Sequence, residues 1–180
     1  ERMVPGNLIE MVVEAGRYAP SGGNNQTSHF LVIESREVLD HLANLVKQEF
    51  ARMEITDGMY SSLVNSIRLS KTGKYEFHYH ASVLIAVANR KEYGNNIADC
   101  ACALENMMVA ANALDLGSCW INQLKWLNEE PEVVEYLRGF GMKEDESVYG
   151  AVIVGYPATD SGLPNRNLMS LKGNEVTWID

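Results

Sequence analysis

"DCACALENMMVAANALDLGSCWINQL", residues 99–124, carries a long helix and the strand that follows it. The spacing predicts a helix from Asn96 to Leu116. Ile97, Ala101, Leu104, Met108 and Ala111 mark one apolar stripe, and Cys100, Ala103, Met107, Ala110 and Leu114 mark a second beside it. Two adjacent stripes make a wide apolar face, as expected of a central core helix. Gly117 stands where a left-handed C-terminal cap belongs, and "SCWIN" reads as a short strand directly after it.

The flanking chain repeats this alternation. Upstream, Leu8, Ile9, Val12, Val13, Gly16 and Ala19 fall at helical spacing, with Asn7 as N-cap, Glu10 in the capping-box position and Pro20 as the stop. "HFLVIE" is strand-like. Amphipathic segments follow over Val38–Met53 and Tyr60–Leu69, and "SVLIAVAN" suits a strand buried on both faces. Downstream, Pro131–Leu137 is a short helix and "VYGAVIVGYP" a buried strand stopped by Pro157. Glu144, Asp145 and Glu146 read as a solvated loop. The terminal "EVTWID" is β-like, with too little chain around it for a hairpin, and suits a sheet edge in a second subunit. Helices alternating with buried strands imply a layered α/β or α+β domain with helices on both faces of a sheet.

The 180 residues fit one domain, 1–180, without repeats or linkers. A net charge of −9, with no cluster of Lys or Arg, argues against nucleic acid as a partner. The longest apolar run, Val83–Ala88, is far short of the ~20 residues of a membrane span. Three cysteines, Cys100, Cys102 and Cys119, form no disulfide framework, and a cytoplasmic home is expected.

Familiar catalytic motifs are absent: there is no G-x-G-x-x-G, no phosphate-binding G-x-x-x-x-G-K-[ST] and no G-x-S-x-G. A metal site from His78, His80, Cys100 and Cys102 is disfavoured, because Cys100 and Cys102 lie roughly 200° apart around a helix. Cys119 has no evident base beside it, and Met107 and Met108 suit core packing. "PSGGNN", residues 20–25, is either a plain surface loop, rich in ordinary turn residues, or a cradle for a flat polar ligand.

Three stretches in order bear on that choice. "AGRYAPSGGNNQ" (15–26), the 99–124 segment, and "VYGAVIVGYPATD" with "PNRN" (148–160, 164–167) together resemble the nitroreductase family. The resemblance spans nearly the whole chain. It implies an α+β three-layer sandwich, a mixed central sheet flanked by helices, with a C-terminal arm exchanged in a homodimer and FMN at the interface. Pro20, Ser21, Gly22, Gly23 and Asn24 of one subunit would then line the flavin of the other, the glycines letting backbone approach the ring. Trp120, Ile121, Asn122 and Gln123 would pass one face of the isoalloxazine, with a backbone N–H near Asn122 or Gln123 aimed at flavin N5, which gives and takes hydride. Arg166 corresponds to a tail arginine on the FMN phosphate. Asn65 and Arg68 resemble the pair at the pyrimidine edge, where a cation stabilises reduced flavin.

Two departures stand out. The Arg/Ser-rich phosphate-gripping segment expected before Val4 is not in this sequence, and an upstream segment is expected to supply it. Pro164 replaces a basic residue two positions before Arg166. The implied activity is NADH- or NADPH-driven reduction of nitroaromatic, quinone or related small-molecule acceptors in two steps, with no dedicated protein catalytic residue and no metal. The alternatives are reductive dehalogenation or flavin degradation, with residues 54–79 as part of a lid, and a non-enzymatic flavin-binding redox sensor.

Overall fold

The computed structural model describes residues 2–179. In chain order the elements are α1 (Gly6–Arg17), a single 3-10 turn (Gly22–Asn24), β1 (His29–Ile33), α2 (Arg36–Arg52), α3 (Ser61–Lys71), β2 (Val83–Arg90), α4 (Asn96–Ala113), β3 (Gly117–Ile121), α5 (Gln123–Trp126), α6 (Pro131–Arg138) and β4 (Glu146–Gly155). The strands form one sheet in the order β1-β2-β4-β3.

The α+β sandwich is as expected, but the mixed sheet is not: all three pairings among the described residues are antiparallel. Helix α4 carries the chain from β2 to β3, and those strands do run parallel. β4 inserts between them, so no parallel pair becomes neighbours.

Period-two alternation divides β2 between two cores. Leu84, Ala86 and Ala88 join Leu31, Ile121, Ala151 and Ile153 beneath the layer of α2, α3, α5 and α6. Val83, Ile85 and Val87 join Val152 and Val154 beneath α1 and α4. This explains why both central strands are apolar almost throughout. Between α4 and the sheet, Trp120 and Leu104 close over Gly150, where a Cβ would lie 2.6 Å from Leu104 Cδ1 and 3.2 Å from Trp120 Cζ2.

Several local expectations are corrected. α1 starts at Gly6, because the carbonyl of Pro5 accepts from Leu8 and Ile9 N–H at 3.0 and 3.3 Å; Asn7 lies inside the helix and caps nothing. α1 ends at Arg17, ahead of Pro20. α4 ends at Ala113, and the left-handed residue after it is Asp115 (φ 61°), not Gly117. Leu116 N–H bonds to Ala111 O at 2.8 Å and Asp115 N–H to Asn112 O at 3.2 Å, the double bond pattern of a Schellman cap. On α4, Ile97 is exposed, so the first stripe turns outward at its start. Glu146 is buried, whereas Glu144 and Asp145 are solvated. Residues 175–179 are exposed and form no strand within this chain, the expectation for them being a sheet edge on a second subunit; Asp180 lies outside the described residues. No helix among the described residues is long and apolar enough to cross a membrane.

Candidate cofactor site

The loop after α1 is tightly built. Gly23, Asn24 and Gln26 all adopt left-handed backbone, with φ of 58°, 55° and 52°. Such geometry in non-glycine residues persists only where the surroundings impose it, and here they do. Gly22 N–H donates to Asp99 Oδ1 at 2.9 Å, and the Tyr93 hydroxyl donates to Gly22 O at 3.0 Å. Gln26 N–H donates to Ser21 Oγ at 3.0 Å. Pro20 and Asn24 remain exposed on the outside. At Gly22 the room left by the missing Cβ is filled by the same chain: a Cβ would strike the Asn95 amide and come within 2.9 Å of the Tyr93 hydroxyl. Within the chain a side chain at 22 would thus meet Asn95 and Tyr93, and Gly23 is the glycine of this loop with left-handed φ. Pro20, Ser21 and Asn24 line a cleft of about 420 Å³ with Arg17, Phe30 and Asp99.

A second group lies across the sheet. Trp120 Nε1–H donates to Asn122 Oδ1 at 2.9 Å, fixing the side chain that opens α5. Gln123 is buried, and its Nε2–H donates to Tyr75 OH at 2.7 Å; that hydroxyl lies 2.7 Å from Ser66 Oγ on α3. One turn of α3 thus stands beside the β3–α5 turn. Asn65 and Arg68 lie one helical turn apart on the exposed side of α3, and Arg68 makes no hydrogen bond or ion pair with the described residues. At the other end of β3, Gly117, Ser118 and Cys119 line a cleft of about 700 Å³ with Ile153, Tyr156, His80 and Arg2, whose guanidinium sits 3.7 Å from the Tyr156 ring centre.

Arg166 is engaged elsewhere. Its Nε–H donates to Asn112 Oδ1 at 3.0 Å and its NH2 group bonds the carbonyl of Asn112 and, at 2.8 Å, Asp115 Oδ1. A cation on the last carbonyls of α4 is favourable for the helix, and it ties the tail to that end of the fold.

The twelve residues singled out from the sequence therefore form three groups. The loop leads into β1, one edge strand of the sheet, and is tied to α4 through Asp99; the β3–α5 turn follows β3, the other edge strand, and is tied to α3 through Tyr75 and Ser66. The two clefts share no lining residue. Asp99, Tyr93, Tyr75 and Ser66, which hold these groups in place, were not singled out from the sequence. Asp99 carries only the ordinary signature of an acid in the first turn of a helix.

Other nucleophile and metal candidates gain no support. Burial raises the pKa of the Cys119 thiol, whose Sγ hydrogen-bonds the Trp120 carbonyl at 3.5 Å, with no base bonded to it among the described residues. Burial pushes Cys100 up to about 11. His78 and His80 sit in a turn with ring centres 6.1 Å apart, and no group of three or more His, Cys, Asp or Glu among the described residues could hold a metal ion.

This sandwich, with an edge strand and helix turn opening on clefts, is the architecture of a known class of oxidoreductases. The Nitroreductase family model matches residues 1–156. A nitroreductase with bound FMN from Bacteroides fragilis superposes with a TM-score of 0.84 at 34% identity, covering 99% of this chain and 90% of that one. A nitroreductase with bound FMN from Desulfitobacterium hafniense shares the fold at 20% identity and a TM-score of 0.80, over 99% and 89% of the two chains. A curated protein of Archaeoglobus fulgidus, provisionally named NADH dehydrogenase/NAD(P)H nitroreductase, is 27% identical over 158 residues, 87% of this chain and 76% of its own. The chain belongs to the nitroreductase family.

Proposed function

We propose that this protein is an FMN-dependent oxidoreductase that takes electrons from NADH or NADPH and passes them to nitroaromatic, quinone or related small-molecule acceptors. It works as a homodimer with two equivalent sites, each built from both chains. When bound, FMN supplies the two-electron chemistry, alternating between donor and acceptor.

The observation that carries this reading is the separation of two preformed half-sites. The rigid loop with Pro20 and Asn24 facing outward is complete on one edge of the sheet, and Asn65, Arg68 and the β3–α5 turn on the other. A two-fold partner places the loop of one chain against the turn of the next, twice. The chain offers apolar surface for that partner: Met11 on α1, Ile97 and Val109 on α4, and an arm in which Leu168 is wholly exposed and Trp178 is 86% exposed.

The residues present suit FMN. Arg68, paired with none of the described residues, supplies positive charge at the pyrimidine edge, Asn65 a hydrogen-bonding amide beside it, and the loop backbone a shaped wall. Arg2 brings a cation into the cleft beside Ser118, and Arg166 reaches a phosphate only by exchanging its contacts with Asn112 and Asp115. Ile67, Tyr75 and Phe77 anchor residues 54–79 in the core, while most of that segment is exposed.

The test is sedimentation with and without FMN. The reading expects a dimer that binds one FMN per chain. A monomer that holds FMN stoichiometrically would sink the composite site, and a chain that takes up no FMN would sink the flavin reading.

A further inference from the structure

Ser66, Tyr75 and Gln123 form a hydrogen-bond relay whose direction is fixed. Ser66 Oγ–H donates to Ser62 O at 3.0 Å, the carbonyl one turn earlier in α3. A serine hydroxyl has a single proton, so at its 2.7 Å contact with Tyr75 it can only accept. Tyr75 must therefore donate to Ser66. With its proton committed, the Tyr75 oxygen can only accept from Gln123, which makes the facing atom of the Gln123 amide the nitrogen, at 2.7 Å. The order Gln123 → Tyr75 → Ser66 → Ser62 has no reversed alternative while each bond is kept. Burial raises the pKa of Tyr75 against the opposing pull of its bonds to Ser66 and Gln123, so the phenol keeps the proton that the relay needs.

All three side chains are buried. They connect elements far apart in sequence: Ser66 lies between Asn65 and Arg68 on α3, Tyr75 follows α3, and Gln123 opens α5 next to Asn122. The Tyr75 ring also packs in the core, 6.0 Å from Phe50 in an edge-on arrangement. The ring thus anchors the relay while the hydroxyl joins two segments.

We propose that Tyr75 is a positioning residue that locks the Asn65/Arg68 face of α3 to the β3–α5 turn, setting the distance between two sides of the cofactor site. This rests on the flavin reading for its consequence, though not for the relay itself. Without the hydroxyl, Gln123 loses its partner and can rotate, and α3 can shift against the turn. A flavin held between them would then meet a looser pocket.

Tyr75→Phe keeps the ring and removes the relay. The first readout is amide hydrogen exchange on the flavin-free protein. The expected result is faster exchange, about tenfold for each ~1.4 kcal/mol of local stability lost, in both 62–71 and 121–127, with α6 unchanged. Val133→Ala, a truncation in the core under α6, serves as the control that lowers the melting temperature without this paired response. The second readout is FMN binding: Tyr75→Phe should weaken it and shift the visible band of the bound flavin, and Ser66→Ala added to it should cause little further change, because both act in one network. Exchange unchanged in either segment overturns the relay whatever FMN does. Paired faster exchange with FMN affinity and spectrum unaltered overturns the positioning role. Paired faster exchange in a protein whose wild type binds no FMN sinks the flavin reading and, with it, the cofactor-positioning role, while leaving the relay standing.

Discussion

The backbone N–H of Gly22 lies 2.9 Å from Asp99 Oδ1, joining the loop after α1 to the first turns of α4 across 77 positions of sequence. This bond, with the one from Tyr93, holds the run of left-handed residues that gives the loop its outward shape. Asp99→Ala should leave a part-buried N–H unpaired and cost about 1–3 kcal/mol. FMN affinity should fall with it, whereas Asp99→Asn, which keeps an acceptor oxygen, should retain most of both. Chemical denaturation and flavin fluorescence titration of the two variants measure this.

Gly150→Ala should destabilise the chain by about 1–3 kcal/mol through overpacking. Its methyl group would press on Leu104 and Trp120, so the tryptophan emission should shift along with the denaturation midpoint. An unchanged midpoint would mean that α4 and Trp120 can move away from β4 at no cost.

Glu146 gives the fold an acid-sensitive contact. Burial works to raise its pKa, but its hydrogen bonds with the His29 ring at 2.7 Å and from Lys143 N–H at 2.9 Å, with the Lys143 ammonium 3.6 Å away, outweigh it, and the net shift is downward from 4.5. A carboxylate with a depressed folded-state pKa contributes stability that is present above its unfolded pKa and lost as pH falls through the folded value. Stability should therefore decline as the pH drops below about 4.5. Glu146→Gln should lower stability at neutral pH and flatten this part of the pH profile. A profile as steep as that of the wild type would place the acid sensitivity elsewhere.

Ile97→Asp adds a charge to the exposed face of α4. A surface change of this kind alters the folding of one chain by less than about 0.5 kcal/mol. If that face meets a second copy, the dimer should dissociate at concentrations where the wild type stays paired, and FMN should be lost with it. Sedimentation equilibrium separates this from simple unfolding.

The two cores were legible because their signals are local. "SVLIAVAN" is apolar at every position but its ends, as a strand covered on both faces requires, and the stripes of α4 follow helical spacing. The antiparallel sheet was not legible, since it depends on β4 inserting between β2 and β3, a choice made by residues far along the chain. Glu146 looked solvated beside Glu144 and Asp145, because its partner His29 lies 117 positions away. Likewise, "PSGGNN" announced a loop, but its packing of Gly22 against Asn95 and Tyr93 depends on residues about seventy positions away. The cap of α4 was misplaced by two residues because Asp, as well as Gly, tolerates left-handed backbone.

Arg68 pairs with none of the described residues, and its proposed task is to favour the reduced cofactor. Arg68→Gln should make the potential of the bound flavin more negative while leaving the melting temperature of the flavin-free protein nearly unchanged. A potential equal to that of the wild type would remove Arg68 from the site.

The most direct test of the central claim is anaerobic titration of the FMN-loaded protein with NADH and with NADPH, followed by visible absorption. The account predicts that the oxidised flavin bands bleach with one of these donors and return when a quinone or nitroaromatic compound is added. Bands that persist with both donors would contradict it.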